Sequence, residues 1–161
     1  MGANELSSML WRERELLGLL NFKLVEEQLL LTAGKSEWLQ HATREVEQVV
    51  AQLRTTGLAR DVEASALAVE WGVPPESTLR DLAAAAPAGP WRELLGGHLD
   101  ALNGLTATIA SLRDSNEQFL RAAARSAQET AAGLRPERVT YDARGNAGTA
   151  TSTARLFDSK L

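Results

Sequence analysis

Glu37, His41 and Glu45 are spaced four residues apart, which on a helix stacks two carboxylates and an imidazole along one face. Such a row is the ligand chemistry of carboxylate-bridged metal centres in helical bundles, but those centres need a second His-bearing motif on a facing helix. The only other histidine is His98, and Leu95 stands where such a motif carries a Glu three residues earlier. The row is therefore read as a solvated helix face, with a helical-bundle metalloenzyme kept as the distant alternative. Nucleophilic chemistry finds less support. There is no Gly-x-Ser-x-Gly elbow, no glycine-rich phosphate loop and no dinucleotide fingerprint. The chain has no cysteine, which excludes disulfides, thiolate metal sites and a Cys nucleophile. These residues point to a protein without catalysis, cofactor or metal.

The elements that would position these side chains are helices. Alanine and leucine number 26 each in 161 residues, while Val and Ile together number nine, a balance that favours helix over sheet. From Asn4 to about Ala33, Leu6, Leu10, Leu17, Leu20, Leu24 and Leu31 keep a four-three alternation, with Glu13 and Glu27 as its breaks. Gly34 reads as a helix cap and Ser36-Glu37-Trp38 as a restart, leaving either a bend in one continuous helix or a full turn. Leu39, Ala42, Val46, Val49 and Leu53 continue the pattern to an end near Gly57, and Leu58 to Trp71 reads as a further helical piece. Gly72-Val73-Pro74-Pro75 and Pro87-Ala88-Gly89-Pro90 bracket a short helix over 75–86. From Trp91 to about Leu134 the heptad is the best in the chain: Leu95, His98, Leu102, Leu105, Ile109, Leu112, Asn116, Phe119 and Ala123. Gly96, Gly97 and Gly104 weaken it by about 1 kcal/mol each relative to Ala, so packing must support it.

After Pro136 the composition turns to Gly, Ala, Thr and Ser. The expected organisation is a helical domain over 1–134, with an insertion at about 58–90, and a flexible tail over 135–161. The expected fold class is all-α: an elongated antiparallel bundle or coiled coil of two or three long helices. Net charge is −4, divided as −6 over 1–134 and +2 over the tail, and an acidic body argues against nucleic-acid binding. No apolar run approaches a membrane span and no secretory leader is evident, so a cytoplasmic location without membrane insertion is expected. Fourteen arginines against three lysines match the coding bias of GC-rich bacteria. Ser159-Lys160-Leu161 formally matches a peroxisomal address, for which a bacterium has no receptor.

Four local patterns, in this order, resemble the FlgN family of flagellar type III export chaperones. They are Leu16-Leu17 through Glu26-Glu27-Gln28-Leu29-Leu30; the run from Gly72-Val73-Pro74-Pro75 to Asp81-Leu82; Ser115-Asn116-Glu117-Gln118-Phe119-Leu120; and Val139-Thr140-Tyr141-Asp142-Ala143-Arg144-Gly145. Phe119 stands where the family usually has a long aliphatic residue, and Asp142 where Gly often follows the Tyr. The resemblance implies binding of the two hook-filament junction proteins, which are hook-associated proteins, through their C-terminal helical ends. It also implies delivery to the flagellar export gate or its ATPase complex, with no cofactor.

Given that role, the candidate cargo surface is Leu105, Ile109, Leu112, Asn116, Phe119 and Leu120 on the last long helix, with Tyr141, Leu156 and Phe157 from the tail. Asn116 interrupts a leucine seam that self-packing would keep apolar, and a polar residue there fixes register or partner choice. The plainer reading is an exposed Asn on a frayed seam. Leu156, Phe157 and Leu161 form an apolar cluster with no local core. The alternative function is a general coiled-coil scaffold or secretion partner that self-associates through the Leu95 to Ala123 seam.

Overall fold

The computed structural model describes residues 2–134, so the expected tail lies outside the described residues. Four helices follow one another: α1 (Gly2–Thr32), α2 (Ser36–Glu70), α3 (Leu79–Ala85) and α4 (Trp91–Gly133). There is no strand among the described residues, and the fold is a helical bundle built on three long helices and one short one. Met1–Ala123 form one compact unit and Ala124–Leu161 a second.

The chain reverses fully at Gly34. Its φ of +68° is one that side-chain-bearing residues avoid, and the turn closes with Gly34 N–H on the Leu31 carbonyl (3.2 Å) and Lys35 N–H on that of Leu30 (2.9 Å). The same arrangement ends α2, where Gly72 (φ +73°) lets Val73 N–H reach the Ala68 carbonyl at 2.9 Å. α2 does not stop at Gly57; it runs unbroken to Glu70. The glycine costs about 1 kcal/mol in a helix interior, and α2 is anchored to α1 on both sides of it, by buried Val49 and by fully buried Leu67. Packing overrides the local signal.

α3 begins at Leu79, later than the proline run suggests, because Thr78 and Asp81 form a reciprocal cap. Thr78 Oγ1 accepts from Asp81 N–H at 3.2 Å, and Thr78 N–H donates to the Asp81 carboxylate at 2.9 Å. The Thr78 hydroxyl, which donates to the same carboxylate at 2.7 Å, and then the Thr78 N–H hold the Asp81 carboxyl below its ordinary range. Arg92 caps the other end, donating to the Ala84 carbonyl at 2.9 Å.

Pairings along the unit give its topology. Gly2 lies beside Leu67, Glu13 meets Arg60 and Lys23 meets Glu45, so α1 and α2 are antiparallel. Ser7 meets His98 and Gln28 meets Ser115, so α4 runs parallel to α1. α1 and α2 approach each other by their backbones, whereas no Cα of α4 comes within 8 Å of one in α1 or α2. α4 is held by side chains. One apolar cluster joins Ala3, Leu6, Leu10, Leu67, Ala68, Leu82, Ala83 and Leu95, so α3 closes the end of the bundle where α1 starts. A second joins Leu20, Leu24 and Val49 to Ile109 and Leu112. Burying one Leu contributes about 1.5–3 kcal/mol, which makes Leu82 the main anchor of the seven-residue α3.

Candidate functional site

The α4 seam meets the α1–α2 hairpin from Leu95 to Asn116. Leu105, Ile109 and Leu112 are half-buried there, the last two against the cluster of Leu20, Leu24 and Val49. Asn116 is 2% exposed, with its Nδ2 donating to the Leu24 carbonyl at 2.8 Å, and next to it Gln28 Nε2 donates to Ser115 Oγ at 3.0 Å. The seam does not stay apolar for self-packing, and Asn116 is not an exposed residue on a frayed edge. The hairpin accepts it because α1 presents a backbone carbonyl and a buried carboxyl at that level. One turn on, the seam opens: Phe119 and Leu120 are 41% and 37% exposed. The described part of the second unit, from Ala124 to Leu134, is helical to Gly133 and exposed throughout. Tyr141, Leu156, Phe157 and Leu161 lie outside the described residues. The structure thus gathers Leu105, Ile109, Leu112 and Asn116 against the hairpin and leaves Phe119 and Leu120 open on the same helix.

Glu27, one of the expected breaks in the α1 seam, occupies a seam position and is buried. Desolvation raises its pKa, opposed by hydrogen bonding from Thr43, whose hydroxyl donates at 3.5 Å, and from the Asn116 amide. Glu13, the other break, is raised by desolvation in the same way. Arg60 opposes this at 3.0 Å, although the two groups are not aligned for a hydrogen bond.

His98 is buried near the other end of the α4 contact. Its Nε2 lies 3.2 Å from Ser7 Oγ, its Nδ1 3.4 Å from Arg14 Nη1, and the edge of its ring meets Trp11 at 5.2 Å. A serine beside an imidazole suggests a nucleophile and base, but the third partner has the wrong charge. Guanidinium can only donate, so Nδ1 accepts, and Nε2–H donates a hydrogen bond to Ser7 Oγ. Burial, then the Arg14 charge, lowers the His98 pKa. An acid-base triad needs a carboxylate there instead. Arg14 also stacks over Trp11 at 4.1 Å, so the group is a packed polar joint between α1 and α4.

On α2, Glu37 and His41 are exposed, and Glu45 pairs with Lys23 at 2.6 Å, which itself pairs with Glu26 at 3.1 Å. No group of three His, Asp or Glu side chains among the described residues is arranged to hold a metal ion. Two open surface grooves lie among the described residues, one along α2 from Ser36 to Glu47 and one between α1 and α2 near Arg12, Leu16 and Gln52. No helix among the described residues is long and apolar enough to cross a membrane.

One feature escaped the sequence reading. α1 leaves Trp11, Leu19, Phe22, Val25 and Leu29 exposed off its leucine seam, Trp11 with part of its ring against His98 and Arg14. The signal was available in two aromatics lying off the leucine seam.

The described residues thus form a helical bundle whose buried polar groups join helix to helix and whose exposed apolar groups lie on long helical faces. The family model for the FlgN protein matches residues 1–149, and the chain belongs to that family, the flagellar export chaperones. Its general role is that of a flagellar export chaperone, and chaperones of this family bind flagellar hook-associated proteins. Comparison with curated proteins and with solved structures gave no match.

Proposed function

We propose that this chain holds the C-terminal helical ends of the hook-filament junction proteins, prevents their premature assembly and delivers them to the flagellar export gate or its ATPase complex. The observation that carries this reading is the seam of α4. Its heptad continues past buried Asn116 through Phe119 and Ala123, where the helix becomes exposed and Phe119 and Leu120 are partly uncovered. A helix with an unused apolar stripe is ready to accept an amphipathic partner helix, and covering that helix keeps cargo subunits from pairing with one another. Leu105, Ile109, Leu112 and Asn116 hold the segment in register, and Tyr141, Leu156 and Phe157 add contacts from the tail. No step requires chemistry, a cofactor or insertion into a membrane, and the work belongs in the cytoplasm, where export substrates wait.

Calorimetry with a hook-associated protein tests the proposal. Phe119→Ala should weaken binding by about 2 kcal/mol, roughly 30-fold, as expected of an apolar anchor. The exposed control Arg125→Ala should leave binding unchanged. Equal affinity for wild type and Phe119→Ala would move the cargo surface off this part of α4.

A further inference from the structure

α1 carries two apolar seams. The inner one faces the bundle. The outer one steps by four and three residues through Trp11, Glu15, Gly18, Phe22, Val25 and Leu29, and all six are exposed, Phe22 to 59% and Leu29 to 64%. That spacing is the pattern of a helix meeting another helix, here sustained over about 27 Å.

We propose that the occupant of this face is a second copy of this chain, with the two α1 helices packed antiparallel about a two-fold axis. The seam is complementary to its own reverse. In the antiparallel alignment Trp11 lies opposite the partner's Leu29, Glu15 opposite the partner's Val25, and Gly18 opposite the partner's Phe22, each pair occurring twice. Gly18 supplies the cleft for that ring. A Cβ placed on it meets nothing within 4 Å in its own chain, so packing inside the chain gives no reason for a helix-weakening residue at this position. The flanking residues agree. Arg12 faces the partner's Glu26, and Leu19, 41% exposed, meets the partner's Leu19 on the axis. Arg12 now pairs with its own Glu15 at 3.5 Å, a contact exposed on both sides, and Glu26 with Lys23 at 3.1 Å, where the carboxylate is exposed. In the dimer both surface pairs give way to Arg12 and Glu26 across the seam. In a parallel pairing Glu15 would face Glu15 within the seam and Gly18 would face Gly18, combining like charges with a void. A cargo helix could also cover an apolar stripe, but it would leave the mirror spacing without a cause.

The face spans one helix only, so the dimer is weak and forms as concentration rises. Sedimentation equilibrium of the full chain without cargo, from low micromolar to near-millimolar, should show reversible monomer and dimer. Phe22→Glu should raise the dissociation constant by about a hundredfold, because it drives two charges into the seam. Arg12→Glu and Glu26→Arg should each weaken the dimer about tenfold, and together they should restore it. Because the chain has no cysteine, Leu19→Cys should cross-link rapidly on oxidation. Leu29→Cys should not, since the two copies of that residue lie about 27 Å apart in the antiparallel pair. Helical circular dichroism of each variant checks that it is folded. A chain that stays monomeric over the whole range overturns the proposal, as does equal cross-linking at 19 and 29. A monomeric chain whose Phe22→Glu variant loses cargo would give the face to cargo instead.

Discussion

Replacing glycine by alanine at Gly97, Gly104, Gly34 and Gly72 should give stability changes of opposite sign at sites with the same steric surroundings. At all four, a Cβ meets nothing within 4 Å, so neither overpacking nor new contact enters the comparison. Backbone conformation alone differs. Gly97 and Gly104 lie inside α4 with ordinary helical φ, and there Ala is favoured by about 0.8–1 kcal/mol. Gly34 and Gly72 sit at φ of +68° and +73°, where a side chain clashes with the backbone and costs roughly 1–2 kcal/mol. For a chain of this size 1 kcal/mol moves Tm by about 4 °C. The pair Gly97→Ala with Gly104→Ala should therefore melt about 8 °C above wild type, while Gly34→Ala should melt roughly 4–8 °C below it. Urea denaturation with unchanged m-values would assign both effects to stability rather than to altered compactness. If the α4 pair is neutral or destabilising, the interior of α4 is not the continuous helix described here, or its glycines serve a contact outside the chain. If Gly34→Ala is silent, the α1–α2 reversal is not made through a left-handed cap.

Two pH experiments read the buried polar groups, each as a difference between wild type and one variant so that other titrations cancel. His98 has a lowered pKa, so below its ordinary value near 6.5 the unfolded chain takes up a proton that the folded chain refuses. Stability measured against His98→Gln should therefore fall as pH drops from about 7.5 through that window, and a flat difference would mean that the imidazole is not desolvated. Glu27 is raised, so its burial cost is absent in acid and appears as pH rises through the folded value. The advantage of Glu27→Gln in urea denaturation should accordingly grow from pH 4 to pH 7, and an advantage independent of pH would contradict the assigned environment.

The long-range skeleton was legible because it rests on few strong signals. The leucine steps of α1, the heptad of α4 and the Gly-Pro segments around α3 survive in the structure, since apolar period and backbone-restricted residues act locally. Gly57 misled because its cost is small against the packing of α2 on α1, which no local window sees. The Thr78 to Asp81 cap was readable but masked by the louder prolines before it. Glu13, Glu27 and Asn116 looked like interruptions. They occupy seam positions, because the opposing helices supply Arg60, Thr43 and the Leu24 carbonyl. Those partners are 16 to 92 residues away in sequence. The outward stripe of α1 was hidden by the inner one, as two seams on one helix blur into a generally apolar segment.

These buried polar groups explain how α4 can be both loosely attached and correctly placed. Without backbone approach to the hairpin, its leucines would tolerate a slip of one heptad, since Leu meeting Leu is nearly degenerate along such a seam. Two polar joints remove the degeneracy. His98 must find Ser7 and Arg14, and Asn116 must find the Leu24 carbonyl beside Glu27. A slip of seven residues would leave both polar groups buried without partners, at about 1–3 kcal/mol each. Asn116 Oδ1 is already buried without a hydrogen bond, so the joint fixes register at some cost in stability. What that register delivers is the position of the next turn of α4, where Phe119 and Leu120 stand uncovered at the edge of the hairpin contact. A helix held by apolar contacts alone would present these residues at several levels, whereas one pinned through His98 and Asn116 presents them at one.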